Sequence, residues 1–182
     1  MLYISKGISR EVGGGKIIVN WRGKEFELKG EEARLWRHGC FDSSLASAGA
    51  LETLMNLGLV ETAEEDTPLC LYRMLTNCII CSAPMRLLRW PTRLLEWRLL
   101  RWIRRAGLRL SLAELVFLLE EGVRFVPELL GEDNRQTLVE SIYNTETIAD
   151  GILECRMEQA FSRDYVVTAV LGLLRKRRIF LI

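Results

Sequence analysis

Histidine is nearly missing from this chain, with His38 alone among 182 residues. That scarcity excludes histidine-rich metal centres. It also leaves any Ser–His or Cys–His nucleophile pair dependent on one side chain with no Asp near it in sequence. Long apolar runs are missing too: LVFLL at 115–119 and YVVTAVLGLL at 165–174 are too short to cross a bilayer. The opening MLYISKGISREVGGGK carries Lys6, Arg10 and Glu11 and lacks the apolar core of a secretory signal, so a cytoplasmic protein without a membrane span is expected. The GGGK run at 13–16 has neither the spacing nor the following Ser or Thr of a phosphate cradle, and it reads as a flexible lead-in to a strand. Carboxylate pairs such as Glu31-Glu32 and Glu120-Glu121 fall at helix ends, where they face water. With no convergent set of titratable groups, no enzyme and no cofactor is expected.

Acids are scarce in one place only. Residues 71–111 hold 9 basic side chains and 1 acidic one, whereas residues 1–70 hold 8 and 11, and residues 112–182 hold 8 and 12. The formal net charge of +1 therefore hides a positive middle between two mildly acidic flanks, an asymmetry that points to an anionic partner. The centre of this field is RLLRWPTRLLEWRLLRWIRRAGLR, from Arg86 to Arg109, with eight arginines, three tryptophans and Glu96 as its acid.

What is present is enough apolar material for a core. At 49% hydrophobic and 27% charged, the chain suits one domain or two small ones. Its five cysteines read as reduced thiols. His38, Cys40, Cys78 and Cys81 could supply four metal ligands, but Ile79 and Ile80 make the C-x-x-C look like a buried strand, so no metal is expected.

Periodicity places the elements. KIIVNW and KEFELK alternate about Arg22-Gly23 and form a hairpin, GEEARLWRHG is a helix, and ALETLMNLG is a second helix ending at Gly58. LVET and LCLYRMLTNCIIC read as two strands joined by AEEDTP. From Pro91 to Ala106 the pattern is an amphipathic helix, with Leu95, Leu99, Trp102 and Ile103 on one face and Arg98, Arg101 and Arg105 on another. Ser111 with Glu114 forms a capping box for the next helix. NRQTLVESIY and NTETIADGILECRMEQA read as helices, and Ser162 as the N-cap of a last helix that runs into the strand IFLI.

Hairpin, helix, helix, hairpin over about residues 16–82 resembles the winged-helix family. The stretch TETIADGIL through SRDYVVTAVLGLLRKRRIFLI resembles a winged-helix core as well. The first segment is also similar to the small PqqD-like domains that grip leader peptides, through its hairpin and the Gly30, Ala33, Leu35-Trp36 pattern. The expected fold is mainly α with small β-hairpins (α+β). Two winged-helix-like units, 1–83 and 111–182, are joined by a basic Arg/Trp helix at 84–110.

The resemblance implies a DNA-binding transcriptional regulator or accessory factor that docks through arginine–phosphate contacts, as a homodimer. The expected contacts are Arg86, Arg89, Arg93, Arg98, Arg101, Arg105 and Arg109, with Arg163, Tyr165, Arg175, Lys176, Arg177 and Arg178 as a second patch. The reading helices that the resemblance implies offer few base-reading side chains, so backbone contact is favoured over sequence recognition. The alternative is a non-enzymatic protein- or peptide-binding adaptor. Its arginines form intramolecular or subunit salt bridges, and its hairpin edge at Lys16–Trp21 or Lys24–Lys29 accepts a partner strand.

Overall fold

The structure is a computed structural model, and it describes residues 1–83, 93–105, 109–123, 142–143 and 153–182. Its strands are β1 (Leu2–Ser5), β2 (Ile8–Gly13), β3 (Lys16–Trp21), β4 (Lys24–Leu28), β5 (Ser44–Leu45), β6 (Val60–Ala63), β7 (Ile79–Ser82), β8 (Leu110–Ser111) and β9 (Ile179–Leu181). Its described helices are α1 (Gly30–Gly39), α2 (Ala48–Asn56), α3 (Pro68–Thr76), α4 (Leu94–Arg105), α5 (Leu112–Glu120), α6 (Leu153–Met157) and α7 (Arg163–Arg175). The strands form three small antiparallel sheets, ordered β5-β1-β6, β2-β3-β4 and β8-β7-β9.

The first seven residues organise the rest. Strand side chains alternate between faces, and all four residues of β1 are buried. Leu2 and Ile4 enter one core, with α3, β7, α4, α5 and α7. Tyr3 enters the other, with Ile17, Val19, Leu28, Trp36, Leu51 and Leu54. Burying Leu2 and Ile4 is worth about 1.5–3 kcal/mol each in transfer free energy. The Tyr3 hydroxyl donates to the Leu35 carbonyl at 2.8 Å, which satisfies its polar end inside that core. The chain then turns at Gly7, whose φ is +104° and whose missing Cβ would lie 2.7 Å from Val19 Cγ1. Only glycine fits there.

Local signals explain the elements that matched expectation. The β3–β4 hairpin closes on Arg22-Gly23, both at positive φ, with Trp21 opposite Lys24. At α5 the Ser111 hydroxyl accepts from the Glu114 N–H at 3.1 Å, and Glu114 accepts from the Ser111 N–H at 2.7 Å.

The pair of winged-helix-like units is overturned: the fold is α+β with three separate three-stranded sheets. The segment read as a strand from Leu69 is instead helix α3. Thr67 caps it by accepting from the Cys70 N–H at 3.2 Å, Pro68 sits in its first turn, and Leu71, Tyr72, Met74 and Leu75 bury one helical face. No wing hairpin forms there; β6 pairs with β1 instead. The chain's last strand, β9, pairs with β7 from before the basic helix. One expectation near the N-terminus also changes: Gly13, Gly14 and Gly15, all at positive φ, turn β2 into β3 rather than leading loosely into it. Before them, Leu2–Ser5 adds a buried strand with no counterpart in the sequence reading. Most of NRQTLVESIY and most of NTETIADGIL lie outside the described residues.

Helix α4 packs on α7 and β7. Gly172 of α7 is the contact point, where an added Cβ would lie 2.6 Å from Glu96 Oε1. Gly172→Ala is therefore expected to destabilise by about 1–3 kcal/mol through overpacking, although alanine is the better helix former by about 1 kcal/mol. In a Glu96→Ala background the same change turns neutral or stabilising, which urea unfolding of the four proteins measures.

Candidate nucleic-acid interface

A helix with one apolar stripe buries it and turns the remainder to water. In α4 the buried side chains are Glu96, Leu99, Leu100, Trp102 and Ile103, whereas Leu94, Arg98 and Arg101 are exposed. Glu96 is 3% exposed and is held by Lys176 Nζ at 2.5 Å from Oε2. The acid of the basic segment is thus turned inward and paired. The outward face of α4 carries cations without it. Arg98 makes one long bond to the Val123 carbonyl, at 3.4 Å.

Arg93, just before α4, and Arg109, after it, are exposed. Arg93, Arg98 and Arg109 have no carboxylate partner among the described residues. Arg86 and Arg89 lie outside the described residues, as does the side chain of Arg105. The apolar face of α4 is used within the chain: Leu99, Trp102 and Ile103 are buried in its own core and Leu95 packs against it.

The C-terminal patch divides. Arg175 is bound to Asp42 at 2.8 Å, Lys176 to Glu96, and Arg178 is 7% exposed. Only Arg177 of that run reaches water without an ion pair among the described residues, and its guanidinium lies over the Phe41 ring, 4.4 Å from the centroid. Arg163 is half-buried, paired with Asp164 at 2.7 Å and donating to the Glu158 carbonyl. Tyr165 is 58% exposed beside the 82% exposed Phe161.

Ser162 does not cap α7 through its side chain. Its N–H donates instead to Glu120 Oε2 at 3.0 Å, so a carboxylate from α5 occupies the positive end of α7. That pairing was hidden in the sequence because the partners are forty-two residues apart. Of the expected C-terminal contacts, Arg163 is therefore engaged internally while Tyr165 stays exposed.

The candidate metal ligands do not converge. His38 and Cys40 are at the end of α1, while Cys78 and Cys81 are buried around β7. Burial pushes the Cys78 thiol up to about 12 and the Cys40 thiol up to about 11, so neither offers a thiolate at neutral pH. Among the described residues no three His, Cys, Asp or Glu side chains form a group that could hold an ion. Nor is any described helix long and apolar enough to cross a membrane.

The adaptor edges also sort out. β3 is the centre of its sheet, so Lys16–Trp21 has no free edge, whereas β2 and β4 are the outer strands. No protein-family model matches the chain, and no curated protein or solved structure matches it either.

Hydrogen bonding at Ser162, whose N–H donates at 3.0 Å, holds the Glu120 carboxyl below its ordinary value of 4.5. A depressed carboxylate adds stability above its unfolded pKa and loses it as pH falls through the folded pKa. Glu120→Gln is expected to unfold at lower urea than wild type at pH 7. The two midpoints should converge below pH 4, as chemical denaturation at both pH values will read.

Proposed function

We propose that this chain is a non-enzymatic nucleic-acid-binding accessory factor that grips the phosphate backbone through Arg93, Arg98 and Arg109. The observation that carries the reading is the inward pairing of Glu96 with Lys176, while Arg93, Arg98 and Arg109 are exposed with no carboxylate partner among the described residues. Guanidinium groups meet phosphate oxygens through two parallel N–H donors, so a helix face of arginines binds a phosphate track without reading bases. Recognition of sequence is not part of the reading, since Ser162 and Arg163 are engaged by Glu120, Asp164 and Glu158. Self-association through the apolar face of α4 is not part of it either, because that face is buried.

A second reading keeps the protein as a binding adaptor. The internal ion pairs Arg175–Asp42, Arg73–Glu158 and Lys176–Glu96 favour it, and β2 offers an exposed outer edge with Ile8 and Val12 uncovered.

Fluorescence anisotropy of a labelled random duplex across a salt series separates the two. About three phosphate contacts give a log–log slope of roughly −2 to −3. Arg98→Gln and Arg109→Gln each reduce that slope by about 1 and weaken every sequence alike. Arg175→Gln, whose side chain is already bound to Asp42, leaves it unchanged. Absence of binding at low salt removes the nucleic-acid reading in favour of the adaptor.

A further inference from the structure

A groove of about 560 Å³ opens where β2 and β9 part company, and none of its lining belongs to α4. The Gly7 N–H donates to the Leu181 carbonyl at 2.8 Å, and beyond this bond Ile8 and Ser9 form one wall and Phe180 the other. Cys40, Phe41 and Ala83 complete a mostly apolar lining. The volume falls in the range of small-molecule sites, roughly 300–1,000 Å³.

One charge lies next to a lining residue. The Arg177 guanidinium is stacked over Phe41, 4.4 Å from the ring centroid, and its field also reaches the half-buried Cys40 thiol, which desolvation keeps protonated. The carboxylate that follows Phe41, Asp42, is already taken by Arg175. Arg177 thus adjoins the groove through Phe41 and has no ion pair among the described residues.

The backbone at Arg177 makes the arrangement unusual. Helix α7 ends with the Arg178 N–H donating to the Leu173 carbonyl at 2.9 Å and the Arg177 N–H donating to the Leu174 carbonyl at 2.8 Å. This Schellman pattern puts its left-handed residue at the position glycine ordinarily occupies. Here that residue is Arg177, at φ +55°. A backbone held in a sparsely populated conformation, at a residue stacked on the wall of a cavity and without an ion pair among the described residues, points to a site.

We propose that this groove binds a small amphipathic carboxylate, with its aliphatic or aromatic body against Ile8, Phe41 and Phe180 and its anionic end on Arg177. The acyl or aryl group replaces water on the apolar walls, and the carboxylate supplies the counter-charge that Arg177 lacks.

The test uses the full chain and the fluorescent probe 8-anilinonaphthalene-1-sulfonate, which combines an aromatic body with an anion. The expected result is saturable binding of one probe per chain, displaced by octanoate. Octan-1-ol and octylamine, with the same tail and no negative charge, are expected to displace it about tenfold less well. Arg177→Gly suits the left-handed backbone, so its Tm is expected to equal or exceed wild type while probe affinity falls about tenfold or more. Ser9→Trp fills the groove from an exposed edge position, retaining the fold and Arg177 while abolishing binding. Unsaturable probe binding, equal displacement by octylamine, or unchanged affinity in Arg177→Gly overturns the proposal. So does a native mass showing a dimer that the probe dissociates, which would assign the groove to a second copy.

Discussion

A strand buried on both faces is the constraint from which the rest of this architecture follows. β1 sends Leu2 and Ile4 into one core and Tyr3 into the other, so a slip of one residue would exchange the two sets and ruin both. The register is reinforced just beyond it. Lys6, whose side chain is 5% exposed, meets Glu61 at 2.5 Å and lies 5.0 Å from the Trp21 ring, while its carbonyl accepts from Trp36 Nε1 at 3.0 Å. Asn77 holds the second oxygen of Glu61 at 3.1 Å. Removing one partner of such a pair would strand a buried charge, a loss of about 3–5 kcal/mol. Residues far apart in sequence are thereby tied to one short segment.

Charge is then partitioned by the same packing. Arg175, Lys176, Arg163 and Arg73 all find carboxylates within the fold, and Glu96 goes inward to meet one of them. Arg98 faces water from α4 with no carboxylate partner among the described residues, and Glu96, the acid of that helix, is turned inward to Lys176. An excess of arginine in the sequence and a positive surface are thus separate facts, connected only by which ion pairs the tertiary structure closes. Among the last four basic residues, Arg177 alone reaches water without such a partner among the described residues, and it does so at a left-handed position where glycine would be the relaxed choice.

Local chemistry made several elements legible. Arg22-Gly23 announced the β3–β4 hairpin, Gly58 the stop after α2, and Ser111 with Glu114 the start of α5. The amphipathic division of α4 was also readable, with Leu99, Trp102 and Ile103 inside and Arg98 and Arg101 outside. α3 was misread because its apolar run before the strand Ile79–Ser82 concealed the period, although Thr67-Pro68 was a capping signal in plain view. The Schellman arginine left no trace in composition, since nothing about an Arg in a basic run marks a positive φ.

By itself, then, the sequence determined the turn between β3 and β4, the stop after α2, the start of α5 and the apolar face of α4, because capping, glycine geometry and side-chain period act over three or four residues. Tertiary structure alone decided that β1 would serve two cores, that β9 would pair with β7, that Glu120 would cap α7, and which arginines would be neutralised. Those outcomes rest on contacts between segments tens of residues apart, whose free energy exists only once both partners are brought together and dried.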